Sequence, residues 1–218
     1  MHISEGILTG PVLLGGGALT ILGTAVGFRK LHYERIMTVA LLASTFFVAS
    51  LIHIPIGPGS VHLLLGGLMG LILGWAAFPA ILVALLLQAL FFQYGGLLVL
   101  GVNTFNMAAP AVLCGLVLKP WLHKGKTRQL TAGFLAGFCS IMFSALLTAG
   151  ALWFSDKGLS HAAAILLASH LPVMLIEGCI TLFIIGFLAR VQPEILDFTI
   201  INQQEEIDII QQDHEKKL

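Results

Sequence analysis

The chain begins Met1-His2-Ile3-Ser4-Glu5-Gly6. A free α-amine, the next backbone nitrogen and the Nδ1 of a histidine at position 2 can close on one metal ion as two fused chelate rings. The Met1 amine and the His2 amide nitrogen close a five-membered ring, and that nitrogen and the His2 imidazole close a six-membered one. The nitrogens then lie close to one plane, and one further donor completes a square. That geometry suits Ni(II) or Cu(II), and imidazole is a good ligand for both. The chelate requires Met1 to be a deformylated, retained terminus, and the bulk of His2 disfavours its removal. The plain alternative is a histidine without a role, in the kind of terminus that is most often poorly ordered.

A fourth donor has to come from elsewhere among the eight histidines. His32 and His123 lie among basic residues and His214 in a polar tail, where water is the simplest partner. His53, His62, His161 and His170 remain. His62 is the candidate. It ends the run His53-Ile54-Pro55-Ile56-Gly57-Pro58-Gly59-Ser60-Val61, whose prolines and glycines constrain the backbone and exclude a regular helix. A helix start just after it would fix the direction of the imidazole. A hydrogen-bonded structural histidine is the other reading of His62.

His170 and Glu177 are about two helical turns apart and so share a face. A carboxylate within an apolar helix is costly and marks a functional site by default. Glu177 can support a ligand histidine, make a docking contact or join His170 in a proton relay. A buried polar network that fixes helix packing is the structural alternative. Glu5, near the terminus, can accept a hydrogen bond beside the chelate or act as a cap.

The elements that must position these residues are membrane helices. The chain has 218 residues, is 57% hydrophobic and is only 10% charged, with a mean hydropathy of +0.96. Ordinary soluble domains are about 25% charged. A net charge of zero offers nothing to nucleic acid. Cys114, Cys139 and Cys179 fall in separate apolar segments without metal or redox spacing and are read as packing residues. No cleavable signal peptide is expected, because Glu5 stands where a basic flank would be. The fold class is therefore an all-α integral membrane protein with about seven transmembrane helices.

The crossings are expected at 11–28, 36–52, 62–74, 80–92, 107–118, 130–154 and 161–189. Gly23 and Gly27 make a small-residue face for a neighbouring helix. Residues 53–60 and 93–106 are expected to be non-helical, and 75–79 to be a tight turn. Non-helical backbone survives at membrane depth only where protein or a water-lined cavity satisfies it, and Asn103, Thr104 and Asn106 can do so. A break is expected at Pro172. Of the eleven lysines and arginines, Lys157 alone lies on one face, and the others lie in the loops around 29–35 and 119–128 and after 190. The positive-inside rule then puts the C-terminus in the cytoplasm and the N-terminus outside. Met1 and both non-helical gaps share that outer face. Residues 1–190 form the membrane-embedded domain and 191–218 a polar cytoplasmic tail.

The blocks MHISEG, PIGPGSVHLLLGGLMG, FPAILVALLLQALFFQYGGLLVLGVNTFNM and HLPVMLIEG, in this order, resemble the substrate-binding S component of the cobalt/nickel energy-coupling-factor (ECF) transporters, the CbiM/NikM family. The resemblance runs from Met1 to about Arg190. It implies a seven-helix bundle with the outward N-terminus tucked into it. It implies that the transported ion, Ni(II) or Co(II), is held by the Met1 amine, the His2 amide nitrogen and imidazole, and His62. Ser60, Asn103 and Asn106 would support the site without being ligands. It implies no enzymatic activity in this chain and no cofactor. ATP would be hydrolysed by partner ABC-type ATPase subunits, working with an ECF transmembrane coupling subunit and a small accessory membrane protein. Gly67 departs from the family, which often has a polar residue such as asparagine there, and the tail has no counterpart.

Planar nitrogen coordination rejects Mg(II) and Ca(II), which prefer oxygen, but does not reject Cu(II). Because the His2 amide must lose its proton, binding should fall at acid pH. The alternative function is a stand-alone metal-ion permease using His170 and Glu177 as a relay. An intramembrane protease is disfavoured by the lack of an HExxH motif.

Overall fold

In the computed structural model the described residues are 3–56 and 59–196, with backbone alone for 53–56, 59–61 and 157. They form seven α-helices: α1 Gly10–Arg29, α2 Ile36–Ala49, α3 Gly66–Leu73, α4 Ala77–Phe92, α5 Leu100–Leu118, α6 Lys126–Ser155 and α7 Ser160–Val191. Five stretches are long and apolar enough to cross a membrane, namely Gly10–Arg29, Gly66–Phe92, Leu100–Trp121, Lys126–Ser155 and Ser160–Val191. The stretch Gly66–Phe92 contains both α3 and α4. The 14 residues of α2 reach about 21 Å at 1.5 Å per residue, short of a hydrocarbon core of about 30 Å.

Where it is described, the stretch 53–60 is non-helical as expected: β1 His53–Ile56 pairs antiparallel with β2 Gly59–His62, with His53 opposite His62. Cross-strand pairing satisfies backbone groups that find no water at membrane depth. Three other local expectations are corrected. The gap after α4 closes at Leu100 and does not extend to Asn106, because α5 starts seven residues before the expected Met107. Asparagine is a weak helix former, but here the amides of Asn103 and Asn106 bond to other elements and the backbone is free to stay helical. Pro172 does not break α7, which is continuous from Ser160 to Val191. A proline removes one helical hydrogen bond, and without competing water the neighbouring bonds hold. The turn expected at 75–79 is a single 3₁₀ turn, Gly74–Ala76, and Phe78 and Pro79 already belong to α4.

The helices meet where side chains are missing. Gly23 lies against the Phe78 ring, and Gly27 against Pro79 and the Trp75 carbonyl. This seats α1 on the start of α4, and Lys30 Nζ lies 5.7 Å from the centre of the Trp75 ring. In the middle of α1, Thr20 donates to the Gly101 carbonyl at 2.6 Å, and just before its start Thr9 N–H donates to Ser155 Oγ at 3.2 Å. Every residue of α3 is buried. A Cβ at Gly70 would fall 1.8 Å from the Ala111 oxygen, and one at Gly67 would fall 2.3 Å from the Ala136 carbonyl. The short helix is thus pressed backbone to backbone between α5 and α6. The backbone of Ala136 and Gly137 leaves no volume for a side chain at Gly67. Gly74 turns the chain with a φ of 55°, a conformation that glycine adopts without steric cost.

Candidate metal centre

The N-terminal segment is pinned to the beginning of α5. The Asn103 side chain grips Ile3 from both sides: Ile3 N–H donates to Asn103 Oδ1 at 3.1 Å, and Asn103 Nδ2 donates to the Ile3 carbonyl at 3.1 Å. An amide used this way imitates a neighbouring strand. Ile3 and Leu8 pack into a small apolar cluster with Val99, Val102 and Leu152. Glu5 adds a second anchor. Its N–H donates to the Gly95 carbonyl at 3.2 Å, and its Oε1 accepts from Leu98 N–H at 3.0 Å. Met1 and His2 lie outside the described residues, as does the Ser60 side chain.

His62 is 6% exposed and ends β2. Its Nδ1 lies 3.5 Å from the Leu63 carbonyl, at the edge of hydrogen-bonding range. The two residues after Leu63 are held by Glu177, which is fully buried. One carboxylate oxygen accepts from Leu64 N–H, and both accept from Leu65 N–H at 3.0 Å. Leu65 sits in the left-handed region at φ 50°, just before α3.

His170 is 6% exposed. Its Nδ1 lies 2.7 Å from the Leu166 carbonyl. A carbonyl only accepts, so Nδ1 carries the proton and Nε2 of the neutral ring presents a lone pair. That Nε2 is buried and has no partner among the described residues. Helices α6 and α7 run antiparallel, with Gly137 against Glu177 and Gly133 against Leu182. The register brings Ser144 to the level of His170, and Ser144 Oγ is likewise buried without a partner. Asn106, 4% exposed, donates through Nδ2 to Thr148 Oγ1 at 3.4 Å. Thr104 Oγ1 is a further buried orphan.

Ser140, Ser144 and Thr148 escape a reading that looks for metal-ligating residue types. Their signal in the sequence is a spacing of four along α6, which puts three hydroxyls on one buried face. Gln88 was missed as well. It is fully buried, with Nε2 donating to Ser50 Oγ at 2.7 Å. His161, His32 and His123 are exposed. An apolar groove of about 650 Å³ between α1, α5 and α6 is lined by residues such as Leu19, Phe105 and Phe143 and holds none of the candidate ligands.

Among the described residues no three His, Cys, Asp or Glu side chains gather into a metal site. The interior instead offers neutral donors: single histidines, amides and hydroxyls, with one carboxylate already engaged by backbone N–H groups. Such a lining can orient a small cation and its water. It can hold the ion tightly only with additional donors.

The comparisons agree with this architecture. Two solved structures described as a transition metal transporter, one of them truncated, match with TM-scores of 0.75 and 0.73 at 26% identity. They cover 88% and 86% of this chain, and this chain covers 93% and 98% of theirs. A protein of Haemophilus influenzae, named provisionally as a metal transport protein, is 43% identical over 91% of this chain and 98% of its own length. The cobalt transport protein CbiM of Lachnoclostridium phytofermentans is 30% identical over 93% of this chain and 88% of its own length. The fused nickel transport protein NikMN of Rhodobacter capsulatus is 31% identical over 90% of this chain and 64% of its own length. The family described as the cobalt uptake substrate-specific transmembrane region, CbiM, matches residues 2–195, and this multi-pass membrane chain belongs to it.

Proposed function

We propose that the protein is the substrate-binding membrane subunit of an uptake transporter for Ni(II) or Co(II), and that it holds the ion in a nitrogen square. The donors are the Met1 amine, the His2 amide nitrogen and imidazole, and His62. The observation that carries this reading is the Asn103 grip on Ile3. It spends a buried amide on ordering the chain one residue after the chelate. Ile3, the residue that follows the proposed chelate, is thereby held at the buried polar lining of α5. Ser60, Asn103 and Asn106 act as supports.

The chain itself has no enzymatic role in this reading. Partner ABC-type ATPases supply the energy through an ECF transmembrane coupling subunit, with a small accessory membrane protein. The fused NikMN relative, which extends well beyond the part matched here, is in keeping with a further membrane partner. With seven crossings, read from the apolar segments, the two ends lie on opposite sides, and the distribution of lysine and arginine puts the N-terminus outside and the C-terminus in the cytoplasm. The pairing of helix ends, Thr9 with Ser155 and Lys30 with Trp75, supports that alternation. The permease alternative needs Glu177 as a mobile proton carrier, yet both its oxygens are engaged by backbone N–H groups.

The test compares purified protein bearing an authentic Met1 with a version extended by one N-terminal residue. Both are titrated with Ni(II) and Co(II) while the d–d absorption is followed. Loss of tight binding and of the square-planar band on extension is the expected result. Equal binding by the extended protein removes the terminus from the site.

A further inference from the structure

We infer that Glu177 is a positioning residue for His62, acting through the backbone of the segment that joins β2 to α3. The inference rests on the reading of His62 as a ligand.

Glu177 is fully buried in the middle of α7, and an ionisable group at such a place is costly unless its oxygens are well bonded. What they bond is the chain itself: the N–H groups of Leu64 and Leu65. These follow His62 by two and three positions. The segment has reason to need an outside restraint. Leu65 is held at φ 50°, which costs a residue with a Cβ about 1 kcal/mol or more. No side chain of its own caps α3. His62 Nδ1 lies 3.5 Å from the adjacent Leu63 carbonyl, so the ring is carried on the same stretch of backbone that the carboxylate holds.

The carboxylate is itself held rigidly. A Cβ at Gly137 would fall 2.4 Å from the Glu177 carbonyl oxygen, and one at Gly67 would fall 2.3 Å from the carbonyl of Ala136, one residue away. Helix α6 is therefore clasped directly between the two elements that the carboxylate joins. A ligand on a β-strand end gains a fixed bearing from this frame without any contact between its imidazole and the acid. Glutamine at this position would keep one oxygen that can accept from both N–H groups, but it would lose the charge and would turn a donor NH₂ toward Leu65 N–H in place of the second accepting oxygen.

A capping group that serves only the fold and one that aims His62 differ in a double-mutant cycle. Ni(II) affinity is measured by chelator competition on the full chain in detergent, for the parent, Glu177→Gln, His62→Ala and the double variant. In His62→Ala the terminal nitrogens still bind, so a constant can be read. Glu177→Gln is expected to weaken binding about tenfold, the scale of other outer partners of metal ligands, and to weaken it no further once His62 is gone. Equal weakening with and without His62, or no weakening in either background, overturns the inference. If Glu177→Gln does not fold, Glu177→Asp, which keeps the carboxylate and shortens its reach, enters the same cycle with the same expected outcome. Full binding by His62→Ala overturns the proposed site, and the positioning role with it. His62-dependent binding that ignores Glu177 overturns the positioning role alone.

Discussion

Asn103 makes the most consequential contact of any single residue here, because it orders the chain next to the proposed chelate. Removing its amide leaves the Ile3 N–H and carbonyl buried and unbonded, at a cost of about 1–3 kcal/mol each. Asn103→Ala is therefore expected to release the N-terminal segment. Aminopeptidase digestion should be faster for the variant, and Ni(II) affinity should fall by at least tenfold, about 1.4 kcal/mol. Unchanged digestion would mean that the Ile3 and Leu8 cluster alone holds the terminus. His170 is a different kind of residue. Its Nδ1 proton is directed at the Leu166 carbonyl and its Nε2 has no partner among the described residues, so it can accept a bond from water or an ion without changing its ring orientation.

At the scale of the element, α3 matters most. It is short, wholly buried and without side chains at its closest crossings, so α5 and α6 approach its backbone directly. Membrane helices gain little from hydrophobic segregation and rely on such close packing. Gly67→Asn, the polar residue that the resemblance implies at this position, must push α3 away from Ala136 in this chain. Overpacking of this kind costs about 1–3 kcal/mol, and thermal unfolding in detergent should show a lowered midpoint. A variant as stable as the parent would show that α6 yields. The two strands before α3 pair with each other from His53 opposite His62 to Ile56 opposite Gly59, which satisfies part of their backbone without water.

For the whole molecule, orientation is the quantity that transport depends on. Arg35, one of the basic residues assigned to the inner face, is partly buried, and desolvation lowers its pKa from the usual arginine value. Single cysteines placed at His123 and Asp156 in a background without Cys114, Cys139 and Cys179 report the two faces. A membrane-impermeant thiol reagent added to intact cells is expected to label the cysteine at 156 and to spare the one at 123. The reverse pattern overturns the orientation, and with it the shared outer face of the terminus and the paired strands.

Composition alone determined that this is a multi-pass helical membrane protein, because so few charges cannot cover a soluble surface. Strings of residues near Met1, His62, Asn103 and Glu177 were enough to single out the candidate site, since polar types inside apolar runs are rare and costly. The sequence also located all seven helices to within several residues. It misjudged local form where tertiary partners override propensity. Asn103 and Asn106 read as loop formers but are helical, because Ile3 and Thr148 satisfy their amides. Pro172 reads as a break but sits in a continuous helix. Only the tertiary structure decided what Glu177 touches. Its partners are backbone N–H groups more than a hundred residues away in the chain, and every residue type has that group except proline. No pattern of side chains could have announced the contact.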